Sequence, residues 1–176
     1  THSLQTNSPA IDTGDDATCP ETDQRGTPRP QGVHCDIGSY EKAYIHYVNG
    51  KANGENNGSP WADAYTDLQS ALSASSRGNE IWVATGTYKP TIGSDRTISF
   101  QLGNGVKLYG GFAGNEVLRS QRNLAANHTT LSGDIGIAGN SADNSYHVVV
   151  VPFFSSEVVL DGFTITAGNA NGDSPA

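Results

Sequence analysis

Apolar and polar side chains alternate in short runs along most of the chain, over residues 44–48, 80–88, 97–102, 106–112, 129–135, 147–151 and 158–166. Each later run is bounded by Gly, Asn, Asp or Pro, and a period of two between turn formers predicts strands. Between the first two runs lies a Gly- and Asn-rich loop, 49–58, after which the spacing changes. Trp61, Tyr65, Leu68, Ala71 and Leu72 recur at helical intervals, with Ser59 placed as an N-cap, Pro60 at the first helical position and Gly78 as a stop signal. This predicts one amphipathic helix over 60–76, about four turns long.

The strand runs are themselves spaced. Ile81 and Val83, Val106 and Leu108, then Thr129 and Leu131 recur at intervals of about 25 residues, in the range of solenoid coils. The predicted class is therefore all-β, a right-handed parallel β-helix (β-solenoid) with one capping α-helix. A β-sandwich would also use short strands, but it joins them by hairpins. A wound coil leaves unpaired backbone and apolar side chains at its ends, and the helix bearing Trp61, Tyr65, Leu68 and Leu72 is expected to cover one of them.

Residues 1–43 follow neither period. They carry one short strand candidate at 10–12 and turn signals at Gly14, Gly26, Pro28, Pro30, Gly32 and Gly38. The expected organisation is thus a loop-rich segment, 1–43, and a stranded unit, 44–176. The chain starts at Thr1 with no leader pattern and reads as a cut from a longer polypeptide.

Composition narrows the classes. The 176 residues include 21 Gly, no Met and only 16% charged side chains, which suits turns and stacked strands better than helices. With 18 acidic against 10 basic residues the formal charge is −8, and the basic residues do not cluster, so nucleic acid is not an expected partner. The longest apolar run, 148–154, is broken by Pro152 and is far short of the ~20 residues that span a bilayer, so no transmembrane segment is expected. The two cysteines, Cys19 and Cys35, both fall in the segment without hydrophobic periodicity and are expected to form a disulfide, worth ~3 kcal/mol to a piece with little core. Such a bridge implies an oxidising, extracellular or cell-surface location. Two free thiols, or a zinc site to which His34 would bring one ligand, are the alternatives.

Several motifs carry a resemblance. Trp61-Ala62-Asp63-Ala64, Leu68-Gln69-Ser70-Ala71-Leu72, Ile81-Trp82-Val83-Ala84-Thr85-Gly86-Thr87-Tyr88-Lys89-Pro90, Tyr109-Gly110-Gly111-Phe112-Ala113-Gly114-Asn115-Glu116, Arg122-Asn123, Thr130-Leu131-Ser132-Gly133-Asp134 and Leu160-Asp161-Gly162-Phe163-Thr164-Ile165 resemble the parallel β-helix repeat family of bacterial surface and secreted proteins, including polymorphic outer-membrane-like proteins. The match spans roughly residues 47–168, and in that family such a block opens the β-helix. Ser8-Pro9-Ala10-Ile11-Asp12-Thr13-Gly14-Asp15, Asp23-Gln24-Arg25-Gly26, Pro28-Arg29-Pro30 and Cys35-Asp36-Ile37-Gly38-Ser39-Tyr40-Glu41 resemble instead the cysteine-bearing segment that closes one. A closing segment thus precedes an opening one. This fits a window from a tandem array, or a subunit whose residues 1–41, with Ile11, Ile37 and Tyr40 as contacts, complete the last coil of a neighbouring copy. The tripeptide Ser-Pro-Ala at 8–10 and again at 174–176 would suit a repeating unit.

The expected function is a non-enzymatic structural module that stacks end to end with copies of itself. Alternatives are a polysaccharide-binding or polysaccharide-cleaving β-helix and a bacterial adhesin for a host surface. Cleavage would need converging carboxylates. Asp95, Glu116, Asp134, Asp143, Glu157, Asp161 and Asp173 instead stand each beside turn formers, and His46, His128 and His147 are isolated. Arg119 and Arg122 suit either an anion or sugar contact or a packed loop. Trp61, Trp82, Tyr88, Tyr109, Phe153 and Phe154 would stack on sugars only if they faced outward. Asp12, Asp15, Asp16, Glu21, Asp23 and Asp36 crowd the first segment, where calcium is a candidate ligand and ion pairs with Arg25 and Arg29 are the rival account. Asn127-His128-Thr129 and Asn57-Gly58-Ser59 match the glycan acceptor pattern.

Overall fold

A computed structural model describes residues 2–5, 7–153 and 157–172. Among them are nine short strands: β1 (Ile45–Val48), β2 (Glu80–Ala84), β3 (Gly86–Tyr88), β4 (Phe100–Gln101), β5 (Lys107–Phe112), β6 (Thr129–Ser132), β7 (Val149–Val150), β8 (Val159–Asp161) and β9 (Phe163–Thr166). Every pairing between named strands is parallel. They form three small sheets, ordered β1-β2-β5-β8, β3-β6-β9 and β4-β7.

Register follows side-chain type. In the first sheet Ile81 aligns with Leu108 and Leu108 with Leu160, while on the opposite face Tyr47 aligns with Trp82 and Trp82 with Tyr109. The core lies inside the sheets and draws on all three: Val48, Ile81, Val83 and Leu108 meet Tyr88, Leu131 and Phe100. A second cluster, Trp82, Tyr109 and Phe112 with Tyr47 and Trp61, covers the outside of the first sheet. Parallel strands are characteristically buried on both faces, and this sheet is.

The expectation of an all-β closed solenoid is corrected. The molecule is a small mixed α/β unit with an α-helix, α1 (Leu68–Ala74), three single 3-10 turns and short parallel strands in three separate sheets; no closed solenoid forms among the described residues. The apparent 25-residue repeat fails for a definite reason. Leu131 aligns with Tyr88 in the second sheet, not with Leu108, and the interval from Leu108 to Leu160 is nearly twice that from Ile81 to Leu108. Two expected strands also split where one residue turns a corner into another sheet. At Thr85 the backbone N–H donates to the Phe112 carbonyl (2.7 Å) and Oγ1 to the His128 carbonyl (2.9 Å). At Gly162, φ is +83°, a conformation glycine adopts without strain. The strand candidate at 10–12 is a turn.

The helix is shorter than its periodicity implied. Asp67 caps it by accepting the Ser70 N–H (2.8 Å), so only Leu68 and Leu72 of the expected capping set lie on α1, with Leu68 buried and Leu72 packed at the core margin. Trp61 sits in a separate 3-10 turn. Tyr65 is extended and forms a parallel bridge with Val48 in β1: its N–H donates to the Tyr47 carbonyl (2.9 Å) and its carbonyl accepts the Asn49 N–H (2.8 Å).

Gly110 in β5 is one of the close approaches between neighbouring chain segments. A Cβ there would stand 2.5 Å from the Gly162 carbonyl oxygen and 3.0 Å from Thr129 Cβ. Gly110→Ala is expected to lower stability by ~1–3 kcal/mol, as overpacking does, whereas Gly93→Ala, with only Thr91 Oγ1 at 3.5 Å, leaves the thermal midpoint nearly unchanged.

Candidate functional site

The N-terminal segment is held by covalent and polar bonds in place of a core. Cys19 and Cys35 form a disulfide with Cα atoms 6.5 Å apart, and Cys35 is buried. Around it, carboxylates accept main-chain N–H groups. Asp23, whose side chain is fully buried, takes those of Arg25 (2.7 Å), Thr27 (3.0 Å) and Glu41 (3.0 Å), and pairs with the Arg25 guanidinium at 2.6 Å. Asp36 takes those of Asp12 (2.8 Å) and Lys42 (2.6 Å). Glu41, 1% exposed, takes those of Gln31 (2.8 Å) and Asp36 (3.0 Å), with Arg29 Nε 3.3 Å away.

This arrangement accounts for the acidic crowding. Asp16 accepts the Cys35 N–H (2.8 Å) and faces His34 Nδ1 at 2.8 Å; Asp15 accepts the Ala17 N–H (3.0 Å), and Asp12 the His34 N–H (3.4 Å). Glu21 contributes its carbonyl to the Arg29 N–H (3.0 Å). Among the described residues no group of three His, Cys, Asp or Glu is placed to hold a metal ion. The expected ion pairs are present in part: Arg25 pairs with Asp23, and Arg29 with Glu41. Burial pushes the Asp23 carboxyl up, but the N–H donors and Arg25 outweigh it and hold it at about 2.

The segment rests on its own chain. Gln31 Nε2 approaches Ser76 Oγ (3.4 Å), Asn79 Nδ2 donates to Gln31 Oε1, and Thr27 packs against Gly78. Of the proposed assembly residues, Ile11 is half-buried beside a cleft that also borders Asp12, Lys42, Tyr44 and Tyr47, Ile37 is exposed, and Tyr40 lies under the Arg25 guanidinium at 3.7 Å.

One face of the sheets is closed and the other is not. On the closed side the Gly58 carbonyl and Tyr65 occupy the outer edge of β1, α1 packs on β1, β2 and β4, and Gln69 Nε2 donates to the carbonyls of Pro90 (2.9 Å) and Ser99 (3.1 Å). On the opposite side β7, β8 and β9 are each the outermost strand of their sheet, with Ile165 half-exposed in a groove between β7 and β9.

The remaining candidates are structural in placement. Trp82, Tyr88 and Tyr109 are buried, Trp61 donates Nε1 to the Glu116 carbonyl (2.8 Å), Phe153 is exposed, and Phe154 lies outside the described residues. Arg119 pairs with Glu80 (2.7 Å) and Arg122 with Asp161 (2.8 Å), both over the Tyr109 ring. Asp95 accepts from Thr97, Asp134 from Gly139 and Asp143 from Ile137, as turn carboxylates do; Glu157 is exposed, while Asp173 and residues 174–176 lie outside the described residues. Glu116 accepts the N–H groups of Ala113 (2.6 Å), Gly114 and Asn115; burial raises its carboxyl, and these donors bring it below its usual value. His128 and His147 are exposed and His46 is buried. Thr129 of the Asn127 acceptor pattern is 2% exposed, and Asn57 is bound to the Ser59 N–H (2.9 Å). Sequence reasoning missed Gln31, Asn79 and Gln69, which carry no local signal, and Arg96, which joins Asn144 (2.7 Å), Asn169 (3.0 Å) and the Tyr146 ring.

The class defined so far is a small parallel-stranded α/β unit, closed on one face, with a disulfide-bridged segment docked at its side. Compared with family models, curated proteins and solved structures, the chain matches none.

Asp23 is the test of the segment's polar framework. Its folded-state value lies below the ordinary 3.8, so its contribution is complete above about pH 4 and is lost as pH falls toward about 2. Asp23→Asn is expected to cost ~2 kcal/mol at neutral pH and to flatten the stability profile in that acid window, as read by denaturant unfolding at each pH.

Proposed function

We propose that the chain is a non-enzymatic structural module of an extracellular or cell-surface protein, joining copies of itself through the β7–β8–β9 face. The observation that carries this reading is that three neighbouring sheets reach their outermost strands on one side, while the opposite side is covered by Tyr65, Gly58 and α1. Parallel strand edges carry unpaired N–H and carbonyl groups, and they recruit another strand by backbone hydrogen bonding. The part-exposed Ile165 adds apolar area to the same face.

The extracellular setting is supported by the disulfide; no helix among the described residues is long and apolar enough to cross a membrane. The non-enzymatic reading is supported by the use made of the carboxylates, which secure turns and pair with arginines. The resemblance of residues 47–168 to surface β-helix repeat proteins points the same way. The segment is proposed to stand without calcium, since its acidic oxygens face N–H donors; a chelator is expected to leave its melting unchanged, and a chelator-dependent drop would assign it an ion.

Self-association is tested at Ile165. Light scattering and electron microscopy are expected to find assemblies of wild-type protein, weakened at least ~10-fold by Ile165→Lys, since an edge charge opposes strand addition. Val117→Lys, an exposed loop change, serves as the control. A monomeric wild type, or unchanged assembly in Ile165→Lys, overturns the reading.

A further inference from the structure

The chain contains five Asn–Gly steps, at 49–50, 53–54, 57–58, 104–105 and 171–172. Glycine has no side chain to shield its main-chain nitrogen or to restrict its approach, so at these steps that nitrogen most readily reaches the preceding carboxamide. The fold treats the five differently. Asn49 Oδ1 accepts the Lys51 N–H (3.0 Å), and the Gly50 N–H donates to the Tyr88 hydroxyl (3.4 Å). Asn57 Oδ1 accepts the Ser59 N–H (2.9 Å), and the Gly58 N–H donates to the Asp63 carbonyl (2.9 Å). Gly105 is buried against Arg77, in a turn closed by the Val106 N–H on the Gly103 carbonyl (3.3 Å). Asn171 Oδ1 is held by the Arg96 guanidinium at 2.5 Å. Asn53 and Gly54 are both exposed, and among the described residues neither the Asn53 carboxamide nor the Gly54 N–H has a hydrogen-bond partner.

We propose that Asn53–Gly54 is a site of spontaneous covalent modification, at which the carboxamide is lost and isoaspartate enters the main chain, loosening the loop that covers the first strand. The Gly54 nitrogen gives its proton to a base in the solvent and attacks Asn53 Cγ. A bond from that nitrogen to Cγ forms, the Cγ–Nδ2 bond breaks, and the amide nitrogen leaves as ammonia, giving a five-membered cyclic imide. Water then adds to one of the two imide carbonyls and breaks its bond to the Gly54 nitrogen. Opening at the main-chain carbonyl leaves isoaspartate, and opening at Cγ leaves ordinary aspartate. Nothing is oxidised or reduced, and water is the co-reactant.

The isoaspartate product carries one extra carbon in the backbone at a place with no room for it. Gly54 is seated on the turn at 61–63, where a Cβ would overlap the Asp63 carboxylate and the Ala62 carbonyl oxygen. Immediately after it the chain is tied to the same turn. The Glu55 N–H donates to Asp63 Oδ1 (2.9 Å), the Asn57 and Gly58 N–H groups share the Asp63 carbonyl (both 2.9 Å), and Asn56 Oδ1 accepts the Thr66 N–H (2.8 Å). The new carboxylate also adds a negative charge beside Asp63, in a chain whose formal charge is already −8. The Gly58 carbonyl accepts the Tyr47 N–H (2.9 Å), so loosening at 54–58 reaches the covered edge of β1.

Incubation of the folded protein in mildly alkaline buffer, followed by peptide mapping with mass spectrometry, tests the site. Asn53 is expected to convert at least ~10-fold faster than each of the other four asparagines, because those must first give up a hydrogen bond or a buried position. In denaturant the five rates should converge. Asn53→Gln, which changes an exposed side chain without bonds, should remove the fast phase and keep the fold. The isoaspartate form, isolated by chromatography, is expected to lose amide protection several-fold at residues 55–58 and Tyr47 while β5 and β6 keep theirs. Asn53→Asp, with the charge but not the extra carbon, should lose less. The proposal is overturned if Asn53 reacts no faster than the other four in the folded protein, if its lead persists unchanged in denaturant, or if the isoaspartate form keeps full protection at 55–58.

Discussion

Parallel pairing in register is the constraint on which the molecule depends. Strands as short as β4 and β7 have no independent stability, and each gains order only when like side chains lie over like in the next strand. Ile81, Leu108 and Leu160 form one such column, and Tyr88, Leu131 and Ile165 another. A parallel column cannot be closed by a hairpin, so the chain must leave the sheet and return after a long connection. The loops at 89–99, 113–128 and 133–148 are those connections. The first is shorter than the other two, which breaks sequence periodicity, while the strands stay in register apart from one shift between Trp82 and Ala84 of β2 against β5.

The same constraint explains the covering of the first strand. Column building needs a floor, and the loop before α1 provides it by laying Tyr65 along β1 and dropping Leu68 and Ala71 onto the core. The disulfide-bridged segment solves a different problem by different means. Lacking apolar columns, it satisfies its backbone through Asp23, Asp36 and Glu41, each of which gathers N–H groups from residues distant in sequence. Buried carboxylates are tolerable there because every one is surrounded by donors.

Much of this was legible in the chain, and the errors have physical causes. The alternation around Ile81, Leu108 and Leu131 located the inward positions correctly, because period-two burial is local. Which columns those positions join is not local, and the even spacing of Ile81, Leu108 and Leu131 does not reveal that Leu131 pairs with Tyr88 and not with Leu108. Trp61, Tyr65 and Leu68 share helical spacing, yet Trp61 joins the outer cluster, Tyr65 lays its backbone along β1 with its ring against the core, and Leu68 enters the core from α1. Tertiary pairing of Tyr65 overrode the helical pattern. The cysteines were recognisable because their segment carries no hydrophobic periodicity to hold it; the Gln31–Asn79 joint was not, since neutral amides 48 positions apart leave no pattern.

The faces left open follow from side-chain chemistry. The first sheet carries Tyr47, Trp82 and Tyr109 in one outward column, and such a column would be an exposed apolar stripe without Trp61, Phe112 and the 113–122 loop folded across it. Arg119 and Arg122 complete that cover, and each is neutralised by a carboxylate of the same sheet, Glu80 and Asp161. The second sheet presents Thr87, Thr130 and Thr164 in the corresponding column. Threonine suits a pleated strand through its branched carbon and meets water through its hydroxyl, so this face needs no loop over it. Where the outward column is aromatic the chain supplies a cover, and where it is threonine the sheet stands against solvent.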